Sequence, residues 1–160
     1  MKPVNIIKLL ICCAVPFLTG LMGDPFITAE SSGRWYANLN KPFFNPPNWI
    51  FGPVWTTLYI MMGISAYLVW QKDIEDKPVR VAMAWYIIQI ILNAIWTPLF
   101  FGMQSPLLGL VDVIGLLAAI IVTIVLFFKI FRPAALLLIP YLAWVSFATV
   151  LNASVYLLNR

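Results

Sequence analysis

The 160-residue chain is 62% apolar and 10% charged, whereas a soluble domain is roughly half apolar and about a quarter charged. So little charge cannot cover the surface of a water-soluble fold, which excludes that class. The net charge of +4 does not indicate nucleic-acid binding, because the basic residues lie singly at the ends of apolar runs. Histidine is absent from the sequence, which excludes Ser-His triads and histidine-ligated haem. We expect no metal and no cofactor.

Apolar runs divide the chain into five candidate membrane-spanning helices, each close to the roughly 20 residues that a span requires. They cover residues 4–23, 46–70, 80–101, 106–128 and 134–158, and residues 24–45 form the one long connection. We therefore predict a single all-α membrane domain, a bundle of five transmembrane helices. The first run also fits a signal peptide, because Lys2 and Lys8 precede an apolar stretch that ends in small residues.

Prolines predict where these helices begin and bend. Pro46 and Pro47 suit the first turn of the second helix, with Asn45 as its cap. Four more prolines lie inside or near the ends of predicted spans, where each frees a backbone carbonyl: Pro16, Pro53, Pro98 and Pro140. Kinked helices of this kind can enclose a cavity.

The basic residues predict the orientation of the chain. Seven of them fall on one side of the predicted spans, namely Lys2, Lys8, Lys72, Lys77, Arg80, Lys129 and Arg132, and three on the other, namely Arg34, Lys41 and Arg160. The side richer in lysine and arginine is normally cytoplasmic. We expect the amino terminus inside and the long connection outside, in a bacterial cell membrane.

Polar and aromatic side chains form stripes on three predicted helices, at spacings of three and four residues. The stripes are Trp85, Gln89, Asn93 and Trp96 on the third helix, Tyr141, Trp144, Ala148 and Asn152 on the fifth, and Trp55, Tyr59 and Met62 on the second. Facing one another, they would line an apolar slot with a few oriented hydrogen-bonding groups, as small-molecule sites usually are. The alternative is that the amides only join helices.

Asp112 is the one acid well inside a predicted span. A carboxylate there is costly, so it should be protonated or hydrogen-bonded to another helix. Gly109 and Gly115 of the same helix, with Ser105 and Ala119 at four-residue spacing, predict close helix packing.

Several motifs together resemble one known family. They are Trp35-Tyr36 with Lys41-Pro42, then Asn45-Pro46-Pro47, Trp49, Phe51, Pro53-Val54-Trp55 and Leu58-Tyr59, then Gln89, Asn93, Trp96, Pro98 and Phe100-Phe101-Gly102, then Asp112, and finally Pro140-Tyr141, Trp144, Phe147-Ala148-Thr149 and Leu151-Asn152. In this order they resemble the tryptophan-rich sensory protein family, also called translocator protein or peripheral benzodiazepine receptor. The resemblance covers nearly the whole chain.

The resemblance implies a five-helix membrane protein, commonly a homodimer, with a ligand cavity under the first loop. It implies binding of porphyrins and of isoquinoline or benzodiazepine ligands, in transport or in sensing. Its pocket would comprise Trp35, Asn45, Phe51, Val54, Trp55, Asn93, Asp112, Trp144, Ala148 and Leu151, to which the helical stripes add Tyr59, Gln89 and Trp96. A sterol ligand is not expected, because Ala153 replaces the tyrosine of the animal members.

Three hypotheses stay open at this point. The first is a receptor, carrier or sensor for porphyrin. The second is an enzyme that breaks down porphyrin in light and oxygen, for which the resemblance implies Trp55 and Trp144 as the catalytic residues. The third is a membrane scaffold whose polar residues only join helices.

Overall fold

The computed structural model of the protein describes residues 5–28, 30–72 and 74–160, with the backbone alone described at residues 24, 28 and 30–32. Its helices are α1 (Ile6–Thr28), α2 (Glu30–Asn38), α3 (Asn48–Trp70), α4 (Lys77–Thr97), α5 (Pro106–Ile130), α6 (Arg132–Leu137) and α7 (Ile139–Leu158). A π-helical segment, Pro98–Gly102, joins α4 to the turn before α5.

Five stretches of the described chain are long and apolar enough to cross a membrane. They are Ile6–Ile27, Asn48–Trp70, Lys77–Gly102, Pro106–Ile130 and Arg132–Leu158. Many large apolar side chains on their outer faces are exposed, as expected of helices whose solvent is lipid. The prediction of an all-α integral membrane protein with five spans is confirmed.

The helices form a ring in which neighbouring helices pack along each other, except that α3 and α7 barely touch. Helix α1 packs along α3 and α4, α4 packs along α5, and α5 packs along α7. The short α6 closes the ring by packing on α3, where Ser65 Oγ donates a hydrogen bond of 2.7 Å to the carbonyl of Ala134. Beyond α6, α3 and α7 contact each other sparsely.

Helices α1 and α3 approach each other closely at Gly63. A Cβ atom added at Gly63 would lie 2.5 Å from the Cα of Cys13. Small residues permit such backbone approach between membrane helices. Gly63 therefore sets the spacing between the first and second spans.

The structure of residues 24–45 differs from the long connection predicted there. Helix α1 continues to Thr28, and α2 occupies Glu30–Asn38, so most of this segment is helical. Trp35 and Tyr36 of α2 pack on Phe100 of the π-helical segment. These tertiary contacts stabilise a nine-residue helix that would be marginal alone.

Asn45 does not cap the second span. Helix α3 begins at Asn48, after Pro47, and has no side-chain cap. Asn45 and Pro46 each precede a proline, which disfavours the helical conformation, and the helix therefore begins after the last proline. Asn45 Oδ1 instead accepts a hydrogen bond of 3.4 Å from the hydroxyl of Tyr36.

The third and fifth spans are interrupted. After Thr97 the chain winds more widely, with the N–H of Met103 donating to the carbonyl of Pro98, a bond five residues long that defines a π turn. The fifth span breaks at Leu138, two residues before Pro140, which has no N–H to donate to the turn behind it.

Candidate ligand-binding site

Asn93 of α4 is the centre of a buried hydrogen-bond network. Its Nδ2 donates to the hydroxyl of Tyr141 (3.3 Å). Its Oδ1 accepts from the hydroxyls of Thr19 (3.2 Å) and Tyr59 (3.5 Å). The four side chains belong to α1, α3, α4 and α7 and all are buried, so one amide joins four helices in the membrane interior.

Trp96 links α4 to α7 by a hydrogen bond. Its Nε1 donates to Asn152 Oδ1 (3.2 Å), and Asn152 Nδ2 donates to the carbonyl of Pro106 (2.8 Å). The indole of Trp96 also stacks on the ring of Phe100, with centroids 5.0 Å apart and planes inclined by 16°. The N–H and one face of this indole therefore already contact other side chains of the protein.

A second aromatic group lies between α3 and α7. Phe51 meets Trp144 edge to face, with centroids 5.8 Å apart. Trp55 contacts Tyr59 at 5.4 Å and Tyr141 at 6.3 Å. Both indoles are half-buried, so each retains ring surface that protein does not cover.

A groove of about 580 Å³ opens beside this aromatic group, within the range of roughly 300 to 1,000 Å³ typical of ligand pockets. Side chains of α3 and α7 line it, including Pro53, Val54 and Met61 on one wall and Pro140, Trp144 and Phe147 on the other. None of its lining residues is charged. The groove therefore suits an apolar occupant.

Residues 33–47, here called the lid, fold over the end of the bundle. The ring of Trp35 meets Phe100 at 5.5 Å, and Tyr36 contacts Phe101 at 5.3 Å. Burial raises the pKa of the Tyr36 hydroxyl above its ordinary value, and the hydrogen bond to Asn45 offsets only part of that rise. The hydroxyl is therefore protonated at neutral pH and can donate a hydrogen bond.

The lid is also fastened to the end of α7. Asn159 Oδ1 accepts a hydrogen bond from the N–H of Asn40, and Asn159 Nδ2 donates to the carbonyl of the same residue, both at 2.9 Å. Phe44 meets Phe147 at 6.3 Å. One side chain thus pairs with both backbone groups of a lid residue.

Gln89 and Asp112 carry polar atoms that no side chain or backbone group in the described part of the chain satisfies. Gln89 is 0% exposed, and neither Nε2 nor Oε1 has a partner. Asp112 is 8% exposed, and its Oδ2 has no partner. Of the two states expected for Asp112, protonated or hydrogen-bonded to another helix, the hydrogen bond is not present at this oxygen.

The structure brings together part of the predicted site. Phe51, Val54, Trp55, Tyr59 and Trp144 lie where α3 faces α7. Trp35 and Trp96 gather instead around Phe100. Ala148 and Leu151 are half-buried on α7, between the levels of Trp144 and Asn152.

Sequence reasoning does not include several participants in the site, among them Thr19, Tyr36, Phe100, Tyr141 and Asn152. Tyr141 and Asn152 belonged to the predicted stripe on the fifth helix, so their positions carried a signal. Phe100 owes its position to the π turn, which the sequence pattern does not show. Among the described residues, no group of three or more cysteine or carboxylate side chains suits a metal ion.

The fold and the site define the class: an integral membrane protein of five spanning helices with an interior of indole rings and buried amides. The sequence model of the TspO/MBR family matches residues 10–158, nearly the whole chain. The chain belongs to the TspO/MBR family.

Named relatives agree over almost the full length. The chain is 47% identical over 156 residues to the tryptophan-rich protein TspO of Archaeoglobus fulgidus, covering 97% of this chain and 99% of that protein. It is 43% identical over 155 residues to the protein of the same name from Chlorobaculum tepidum, covering 97% and 98%. It is 42% identical over 143 residues to the human translocator protein, covering 88% and 83%.

Proposed function

We propose that the protein is a membrane receptor or carrier for a flat apolar ligand of the porphyrin type, with isoquinoline and benzodiazepine compounds as synthetic ligands of the same site. The observation that carries the proposal is the pair of half-buried indoles, Trp55 and Trp144, on the facing helices α3 and α7. Offset or edge-on contact of each ring with a planar macrocycle contributes about 0.5 to 1.5 kcal/mol beyond burial.

The polar interior supports the same proposal. Gln89 offers a donor and an acceptor, and Asp112 offers an oxygen, that other described residues leave without a partner. A buried polar atom without a partner costs about 1 to 3 kcal/mol, and a polar ligand group would offset that cost only where the helices open around the fully buried Gln89. Ring surface and a few polar atoms are the usual composition of a small-molecule site.

The names of relatives favour reversible binding. One relative is called translocator protein and another tryptophan-rich sensory protein. Transport and sensing both require that a ligand binds and shifts the population of conformations. We extend that requirement to this chain.

The end of the bundle that is rich in basic residues also carries the start of α1, and this supports a cytoplasmic location for the amino terminus. Lys8 Nζ lies 5.0 Å from the ring centroid of Trp70, and Lys72 Nζ lies 4.4 Å from that of Phe131. Arg132 is at the same end, over another ring. Lysine and arginine beside aromatic rings are typical of a membrane boundary, and their excess marks the inner side.

The proposed function is tested by titrating the purified protein with protoporphyrin and following tryptophan fluorescence. We expect saturable quenching, and we expect Trp144→Ala to weaken the affinity about tenfold or more, since it removes both stacking and burial of the ligand. The matched control is Trp49→Ala, because Trp49 is 74% exposed and lies outside the site. Equal affinities for Trp144→Ala and Trp49→Ala would contradict the assigned site, and absence of saturation would contradict the function.

The same titration separates binding from breakdown. Under illumination, bleaching of bound porphyrin faster than free porphyrin would support the enzyme hypothesis with Trp55 and Trp144. Equal bleaching would leave a receptor or carrier.

A further inference from the structure

The lid closes the end of the bundle at several separate points. Asn159 pairs with the backbone of Asn40 through two hydrogen bonds of 2.9 Å, and Trp35 packs on Phe100. A ligand that entered under the lid would have to break these contacts together. Entry of a ligand under the lid, through the end of the bundle that faces water, is therefore costly in free energy.

The side of the bundle between α3 and α7 is different. The groove of about 580 Å³ opens outward there, and its rim residues Pro53, Thr57, Pro140 and Ala143 are exposed. Ala143 is small, and each proline lacks the N–H of its turn. The gap between the two walls lies within the second and fifth candidate spans, Asn48–Trp70 and Arg132–Leu158.

The groove is continuous with the candidate site. Val54 and Trp144 line the groove, and the ring of Trp144 also contacts Phe51. Behind this pair, Trp55 contacts Tyr141, whose hydroxyl is bonded to the buried amide of Asn93. A molecule moving inward from the groove thus meets aromatic rings first and amides afterwards.

We propose that the ligand enters sideways from the bilayer, through the groove between α3 and α7, while the lid stays closed. This inference rests on the proposed function. The ligand class that fits is a membrane-dissolved planar molecule with an apolar edge, because no charged residue lines the groove. Such molecules are concentrated in the bilayer by the hydrophobic effect, so the lateral route meets the higher ligand concentration.

The test compares association rates in lipid vesicles that hold the whole protein. Protoporphyrin is added in a second set of vesicles, and tryptophan quenching is followed in time. We expect Ala143→Phe, which narrows the groove, to slow association by about tenfold. Dissociation is measured separately, because the groove is also part of the candidate site and a fall in affinity alone would not identify the entry route. The matched control, Ala84→Phe, adds the same ring at an exposed alanine of α4, away from the groove, and should leave both rates unchanged.

A second groove variant and a lid variant complete the test. Thr57→Phe fills the groove from α3 and should act like Ala143→Phe, which keeps the proposal testable if one variant does not fold. Asn159→Ala releases the lid and should not change the association rate. Faster association in Asn159→Ala, with wild-type rates in both groove variants, would overturn the lateral route. If the wild-type protein shows no saturable quenching, the proposed function itself fails.

Discussion

The substitution Gly63→Ala is expected to lower the free energy of unfolding by about 3 kcal/mol, at the upper end of the range for overpacked sites. The added methyl group would lie 2.5 Å from the Cα of Cys13 and 2.8 Å from its Sγ. Because the nearest atom is backbone, no side-chain rotation relieves the clash, and α1 must move away from α3. Thermal unfolding of the purified protein, followed by circular dichroism, measures the effect.

Gly115→Ala is the matched control. An added Cβ at Gly115 has no atom of the protein within 4 Å, and this residue is exposed on α5. We expect no loss of stability, since alanine is also the better helix former. Equal unfolding temperatures for the two variants would contradict the close α1–α3 contact.

The second large effect is expected at Asn93. Asn93→Leu leaves the hydroxyls of Tyr141 and Tyr59 without their amide partner, and we expect a loss of about 1 to 3 kcal/mol of stability. Thr19 is less affected, because its hydroxyl also donates to the carbonyl of Pro16 at 2.6 Å. The unfolding temperature is again the measurement.

Gln89→Leu makes the same kind of change four residues earlier on the same helix, but we expect no loss of stability. Gln89 is fully buried, yet its amide has no partner among the described residues. Replacing an unpaired polar group by an apolar one of similar size is neutral or stabilising. If Gln89→Leu proves as damaging as Asn93→Leu, a bound water or ligand group must hold the glutamine amide in the folded protein.

The spans were predictable because lipid imposes a simple requirement. Each span needs about 20 apolar residues with internal backbone bonding, and the runs ending near Trp70 and Ile130 meet it almost to the residue. Helix α2 was not predictable in this way. Its nine residues do not form an apolar run, and its aromatic side chains Trp35 and Tyr36 contact Phe100 and Phe101, 65 residues later in the chain.

The sequence predicts a set of site residues, and the structure shows how those residues are arranged. Helical spacing placed Gln89, Asn93 and Trp96 on one face, and all three do turn inward. Spacing does not show which groups pair: it places Trp96 at the pocket, and the structure shows that the N–H and one face of this indole contact Asn152 and Phe100. The small-residue pattern likewise identified the close contact at Gly109 but not the exposure of Gly115.

The break between α6 and α7 divides the fifth span into two parts with different attachments. The hydrogen bond from Ser65 to Ala134 fixes α6 on α3. Beyond the turn at Leu138, α7 packs along α5 and barely touches α3. Closure of the ring and formation of the groove wall are thus assigned to separate parts of one span, so a substitution in α6 that loosens its contact with α3 need not alter the aromatic side chains that α7 presents to the groove.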